Sequence, residues 1–149
     1  ATDSKGFLAV NEPKATNLRI HGDVSYISQD KFSLTGSLTL NGYSGIKINE
    51  KAWHTLPMEF SASARYWAFK KLLLKADVYM FGISKYIEKG NVGGTTGGGS
   101  DLSVGGEYKI NKQFSIWLDA NNIFNNKYQR WHRYEVYGLN VMGGIIIRF

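Results

Sequence analysis

Seven segments of the chain alternate between apolar and polar positions with a period of two, the repeat of a β-strand. In the first, Leu18, Ile20, Gly22, Val24 and Tyr26 share one face, and Arg19, His21, Asp23 and Ser25 share the other. The second sets Phe32, Leu34, Gly36, Leu38 and Leu40 against Ser33, Thr35, Ser37 and Thr39. The third sets Met58, Phe60, Ala62, Ala64, Tyr66 and Ala68 against Glu59, Ser61, Ser63, Arg65 and Trp67. The pattern continues over 72–82, with Lys75, Asp77 and Tyr79 on the polar side, and over 102–110, with Ser103, Glu107 and Lys109 there. A sixth segment over 114–124 puts Asn122 and Phe124 on the apolar face, opposite Ser115, Trp117, Asp119 and Asn121. The last, over 137–149, aligns Tyr137, Leu139, Val141, Gly143, Ile145, Ile147 and Phe149. A short eighth strand is expected at 6–10. No apolar-face position carries a charge in a chain that is 20% charged, so the faces are not a product of chance.

The connections alternate too. Short joins fall at "SQDK", "FKK" and "INKQ", and long ones at "GYSGIKINEKAWHTL", "SKYIEKGNVGGTTGGGS" and "NNKYQRWHRYEV". An antiparallel meander with short turns at one end and long loops at the other is the layout of bacterial outer-membrane barrels. Tyr26, Phe32, Tyr66, Tyr108, Phe114 and Phe149 lie on the apolar face beside the short turns, where a periplasmic aromatic girdle would sit. The expected fold is therefore all-β, an antiparallel meander of seven to eight strands belonging to a transmembrane outer-membrane β-barrel. The stretch "GNVGGTTGGGS" reads as a flexible loop without a function of its own.

Composition supports an all-β chain with many turns: aromatics make up 14%, Gly numbers 17 and Pro only 2. Without Cys there is neither a disulfide framework nor a thiolate metal site. No apolar run is long enough for a transmembrane helix, and "ATDSKGF" lacks the basic and apolar regions of a signal peptide. On the polar face Arg19, Lys31, Arg65, Lys75, Lys109 and Arg148 balance Asp23, Glu59, Asp77, Asp101, Glu107 and Asp119. A selective ion pore would show one dominant sign; a balanced set predicts paired networks that fill or stiffen a barrel wall. The net charge of +6 then resides in loops and turns. Its densest part is "KYQRWHRYEVY", where Arg130, Trp131, Arg133 and Tyr134 are expected to meet lipopolysaccharide at the outer surface rather than nucleic acid.

Chemistry finds little footing. His21, Asp23 and Ser25 share one side of one strand, and neighbours at that spacing sit about 7 Å apart, too far for a catalytic hydrogen bond without long side chains. His54 and His132 lie in separate loops, with no metal-ligand spacing. Neither an enzyme nor a cofactor is expected.

The stretch "SIWLDANNIFNNKYQRWHRYEVYGLNVMGGIIIRF" resembles the last hairpin of a TonB-dependent outer-membrane receptor. The matching motif is Asn122, Ile123, Phe124, Asn125, Lys127 and Tyr128, and the ending is Ile147, Arg148 and Phe149. The resemblance extends back to Asp101; earlier strands agree only in pattern. It implies an outer-membrane location, substrate uptake, and partners including membrane lipid, lipopolysaccharide and a TonB-type energy transducer. The family's barrel has roughly 22 strands around a plug, and neither a plug nor a TonB box is visible here. The favoured expectation is therefore the C-terminal strands of a larger barrel, with the rest of that barrel as partner. A self-contained eight-stranded outer-membrane barrel with a structural or adhesion role is the alternative, and a soluble lipocalin-type ligand-binding barrel is the rival from another class. The terminal strand, with Tyr137, Leu139, Val141, Ile145, Ile147 and Phe149, resembles the signal read by the barrel-assembly machinery.

Overall fold

Each of the seven alternating segments forms a strand of one antiparallel sheet. The computed structural model describes residues 12–28, 31–88 and 92–149. The strands are β1 (Thr16–Ser28), β2 (Phe32–Ser44), β3 (Met58–Phe69), β4 (Leu72–Phe81), β5 (Lys85–Glu88), β6 (Val92–Thr95), β7 (Gly99–Lys109), β8 (Phe114–Asn121), β9 (Gln129–Trp131), β10 (Tyr134–Glu135) and β11 (Asn140–Ile147). No helix occurs among the described residues. The main sheet has the order β1-β2-β3-β4-β7-β8-β11, while β5–β6 and β9–β10 are two-stranded ribbons inside the long loops.

The register keeps every apolar face on one side. Tyr26 pairs with Leu34, Leu38 with Phe60, Ala62 with Val78, Ala76 with Val104, Tyr108 with Ile116 and Ile145 with Ile116. A one-residue slip anywhere would throw a strand's apolar set onto the polar side, so the alternation itself specifies this register. Short joins and long loops fall at opposite ends as expected.

The sheet does not close among the described residues: β1 and β11 are its two outer strands. The reason is directional. In an antiparallel meander of seven strands the first and last run the same way, so they cannot form an antiparallel pair with each other.

The short strand expected at 6–10 lies outside the described residues. Elsewhere several details differ from expectation. The sixth strand stops at Asn121, because Asn122 takes a left-handed φ of 51° and leaves the sheet. The last strand is Asn140–Ile147, so Tyr137, Leu139 and Phe149 flank it. The glycine-rich stretch is not a featureless loop: it supplies β6 and the first residues of β7. Its glycines let aromatic rings lie against backbone. A Cβ at Gly99 would fall 2.4 Å from the Phe81 ring, and one at Gly94 2.6 Å from Tyr86. A bulge between Trp67 and Phe69 also shifts the end of β3 by one residue, setting Phe69 rather than Ala68 opposite Leu72.

Candidate functional site

The distribution of apolar surface is inverted relative to a water-soluble domain. Among the described residues only Leu56 and Phe81 are buried hydrophobics, whereas Thr39, Ser84, Ser115 and Asn122 are buried polar ones. The apolar face of the sheet is open: Val24 is 73% exposed, Leu118 61% and Ile145 69%. These residues form one continuous surface across all seven strands, far beyond the scattered exposed leucines of ordinary proteins. From Leu18 to Tyr26 the apolar run covers about 27 Å of strand, which at a tilt of roughly 40° spans about 21 Å of height.

Of the rim aromatics expected at the short-turn end, Tyr26, Tyr66, Tyr108, Phe114 and Phe149 are exposed and Phe32 is half-buried. Tyr26 and Phe32 are 6.4 Å apart at their ring centres, and Phe32 pairs with Tyr66. The bulge adds exposed Phe69 to this end, which strict alternation counts out of phase.

The polar face is a network of paired charges. Arg65 bonds to Asp77 at 2.9 Å, and the Ser63 hydroxyl donates to the same carboxylate at 2.6 Å. Arg148 reaches Glu107 at 3.0 Å and donates to the Ser115 hydroxyl at 2.8 Å. Lys75 on β4 and Asp119 on β8 meet at 2.7 Å across the intervening β7. Gly105 is their common register neighbour, and a Cβ there would fall 1.8 Å from the Asp119 carboxylate. The glycine is what allows a charge pair to bridge three strands, and the sequence pattern alone registers it only as a gap. Glu59 accepts from Tyr79 at 2.9 Å and from Arg130 at 3.0 Å, while Arg130 also touches the Tyr79 hydroxyl. Lys109 lies 4.3 Å from the centre of the Trp67 ring. Arg19, on the outer strand β1, makes no ion pair with a described residue.

His21 corrects the distance argument made from spacing. Its Nε2 lies 2.9 Å from Asp23 Oδ2, and its Nδ1 2.7 Å from Thr39 Oγ1, because the imidazole is long enough to cover the gap between alternate residues. The resulting Thr–His–Asp chain joins the outer strand β1 to β2, with Thr39 buried. It is a cross-strand tie.

At the other end the three long loops are joined to one another. The Glu12 carboxylate accepts the backbone N–H groups of Asn49, Lys47 and Ile48, which holds it below its ordinary 4.5. His54 N–H donates to the Lys85 carbonyl at 2.6 Å. The Tyr86 and His132 rings stack with centres 3.6 Å apart. Glu88 binds both His132 Nε2, at 2.6 Å, and Arg133, at 3.0 Å; the His132 bond and then the Arg133 charge hold its carboxyl low. Phe81 meets Tyr128 edge-on at 5.3 Å. The Tyr128 hydroxyl donates to Asp101 at 3.2 Å, and burial followed by that carboxylate's charge raises its pKa. Of the four residues expected at the outer surface, Arg130 and Arg133 are thus turned onto carboxylates, while Trp131 and Tyr134 are exposed.

The motif over 122–128 is a stitch. Asn122, almost fully buried, donates to the carbonyls of Asn126 at 2.8 Å and Tyr137 at 2.9 Å, and accepts from Asn126 N–H at 3.1 Å. Asn125 accepts from Leu139 N–H at 3.0 Å, Asn126 donates to the Ser100 carbonyl at 3.1 Å, and Ile123 N–H donates to the Leu102 carbonyl at 2.8 Å. Three strands, β7, β8 and β11, are tied there. Beside the loops an open cavity of about 450 Å³ is lined by Asn41, Tyr43, Glu50, Lys51, Thr55 and Lys85, among others.

No protein-family model, no curated protein and no solved structure matches this chain.

Proposed function

We propose that the chain forms part of the wall of an outer-membrane β-barrel, resembling the C-terminal strands of a TonB-dependent receptor and taking part in substrate uptake. The observation that carries this reading is the open apolar face, shared in register by seven strands, over a paired polar face. Water is a poor solvent for that face and a bilayer is a good one. The short turns lie on the periplasmic side with the aromatic rim at the inner interface. The tied loops and the polar cavity face outward, where a substrate arrives. Exposed Trp131 and Tyr134 serve the outer interface with lipopolysaccharide, since Arg130 and Arg133 already have partners. Catalysis and nucleic-acid binding have no part in this reading.

Strand direction constrains the partner. Because β1 and β11 run the same way, antiparallel closure needs an odd number of further strands, with those that pair with β1 and β11 running toward the long-loop end. A second copy in the same membrane orientation presents the wrong direction. The rest of a larger barrel provides what is missing, and one strand suffices for the eight-stranded alternative. The outer edge of β11, with Val141, Ile145 and Ile147, is the template offered to the assembly machinery. A lipocalin-type barrel would need the apolar face covered, yet the buried residues of the sheet, Thr39, Phe81 and Ser115, are on the polar face. The test is the folded state with and without amphiphile. The sheet should persist in detergent or vesicles and be lost or aggregate on their removal; a monodisperse, folded sample in plain buffer would favour the soluble reading.

A further inference from the structure

At the short-turn end the β3 bulge opens a cavity of about 440 Å³ lined by Lys31, Trp67, Ala68, Phe69, Lys70 and Lys109. Among the described residues three lysines line it and no acidic residue does. The acids of the polar face nearest in register are engaged elsewhere: Glu107 with Arg148, Asp77 with Arg65 and Asp119 with Lys75. The backbone fixes the arrangement, since Trp67 N–H donates to the Lys31 carbonyl and Lys109 N–H to the Lys71 carbonyl, both at 2.8 Å. The Lys109 ammonium is held over the Trp67 ring. Like charges gathered in one concavity repel one another, and an anion seated among them removes that cost. Lysine is a compact, strongly hydrated cation suited to phosphate.

We infer that this rim cavity binds a phosphate group, that of an anionic phospholipid headgroup of the adjacent leaflet. The apolar neighbour of the cavity supplies the second half of the argument. Phe69 is exposed at its edge and pairs with Leu72, which in turn pairs with Tyr108, so the cavity adjoins the apolar face. An amphiphile with its phosphate among Lys31, Lys70 and Lys109 can lay an acyl chain over Phe69 and onward along that face. The cavity is of the size of a small-ligand site, about 300–1,000 Å³. The lipid source rests on the membrane reading above; the phosphate site itself does not.

The test uses the full chain in vesicles containing phosphatidylglycerol or phosphatidylcholine brominated in the acyl chains, with tryptophan emission as the readout. Three lysines near a membrane surface, each worth about fivefold, should favour the anionic lipid by about a hundredfold in apparent association constant. That excess quenching should vanish in Trp67→Phe, which identifies the reporter, and in the Lys31→Gln/Lys70→Gln/Lys109→Gln variant. Lys70→Gln alone, in an exposed turn where folding is not at stake, should lower it severalfold. A second arm titrates inorganic phosphate against chloride at matched ionic strength, in uncharged detergent. No lipid preference, but a phosphate-dependent change in emission that the triple variant lacks, would keep the site and assign it to a soluble phosphate compound. No response in either arm, or a preference that survives in the triple variant, overturns it. Quenching by neither brominated lipid together with an intact phosphate response would count against the membrane reading instead.

Discussion

Replacing Leu38 by Arg puts the membrane reading under its most specific mutational load. Leu38 is the central residue of β2, pairs with Gly22 on one side and Phe60 on the other, and lies on the open apolar face. A guanidinium at that depth should cost about 2–4 kcal/mol. Its neighbour Ser37 points the other way, bonded to Ser61 at 3.0 Å and opposite Asp23. Ser37→Arg forfeits one hydroxyl hydrogen bond, about 1 kcal/mol, and sets the new cation beside a carboxylate, which offsets part of that loss. The two variants, one residue apart and identical in the group introduced, should therefore differ by about 2–3 kcal/mol, or roughly 30- to 150-fold in the folding equilibrium at RT of about 0.59 kcal/mol. Urea titrations of protein reconstituted in vesicles, followed by tryptophan emission, measure the difference. Equal losses for the two, or a larger loss at Ser37, would refute the assignment of faces.

Other outcomes follow from the same geometry. Asn122→Ala removes a buried amide that serves three backbone groups and a residue type that tolerates positive φ, so it should cost about 2–4 kcal/mol and lower the melting temperature more than Asn140→Ala, whose amide is exposed. Gly105→Ala should part Lys75 from Asp119 and destabilise the sheet, whereas Gly22→Ala, with nothing within 4 Å of the new methyl, should leave thermal stability nearly unchanged. The Glu88 carboxyl is depressed below 4.5, so its contribution to tying the loops is complete above about that pH and is lost as pH falls through the lower folded-state value. Protease nicking of the loops should rise over that acid range in the parent chain, and Glu88→Gln should be nicked alike on both sides of it.

The sheet was legible because its signal is local and repeated. Every strand from β1 to β11 in the main sheet carries its own period-two pattern, and neighbours such as Leu38 and Phe60 pair only in the register that keeps those patterns together. What escaped the pattern depends on contacts between distant parts of the chain. Arg130 reads as one more basic loop residue, and only the fold brings it back to Glu59, across 71 positions. Gly99 reads as part of a loose run until Phe81 lies against it. The turn at Asn122 did leave a trace, since "NNIFNN" concentrates the residue that best accepts left-handed φ after glycine, but continued alternation through Phe124 masks it. The bulge that brings Phe69 opposite Leu72 has no comparable marker.

The central claim is that at mid-height of the strands, away from the rims, one face of this sheet meets lipid and the other does not, and the absence of Cys makes it directly measurable. Single cysteines placed in turn at 116, 117, 118, 119 and 120 of β8, labelled with a polarity-sensitive dye and reconstituted in vesicles carrying a lipid-soluble quencher, report which face each position occupies. The account predicts strong quenching at Ile116, Leu118 and Ala120 and weak quenching at Trp117 and Asp119. Quenching with the opposite phase, or without a period of two, would contradict it.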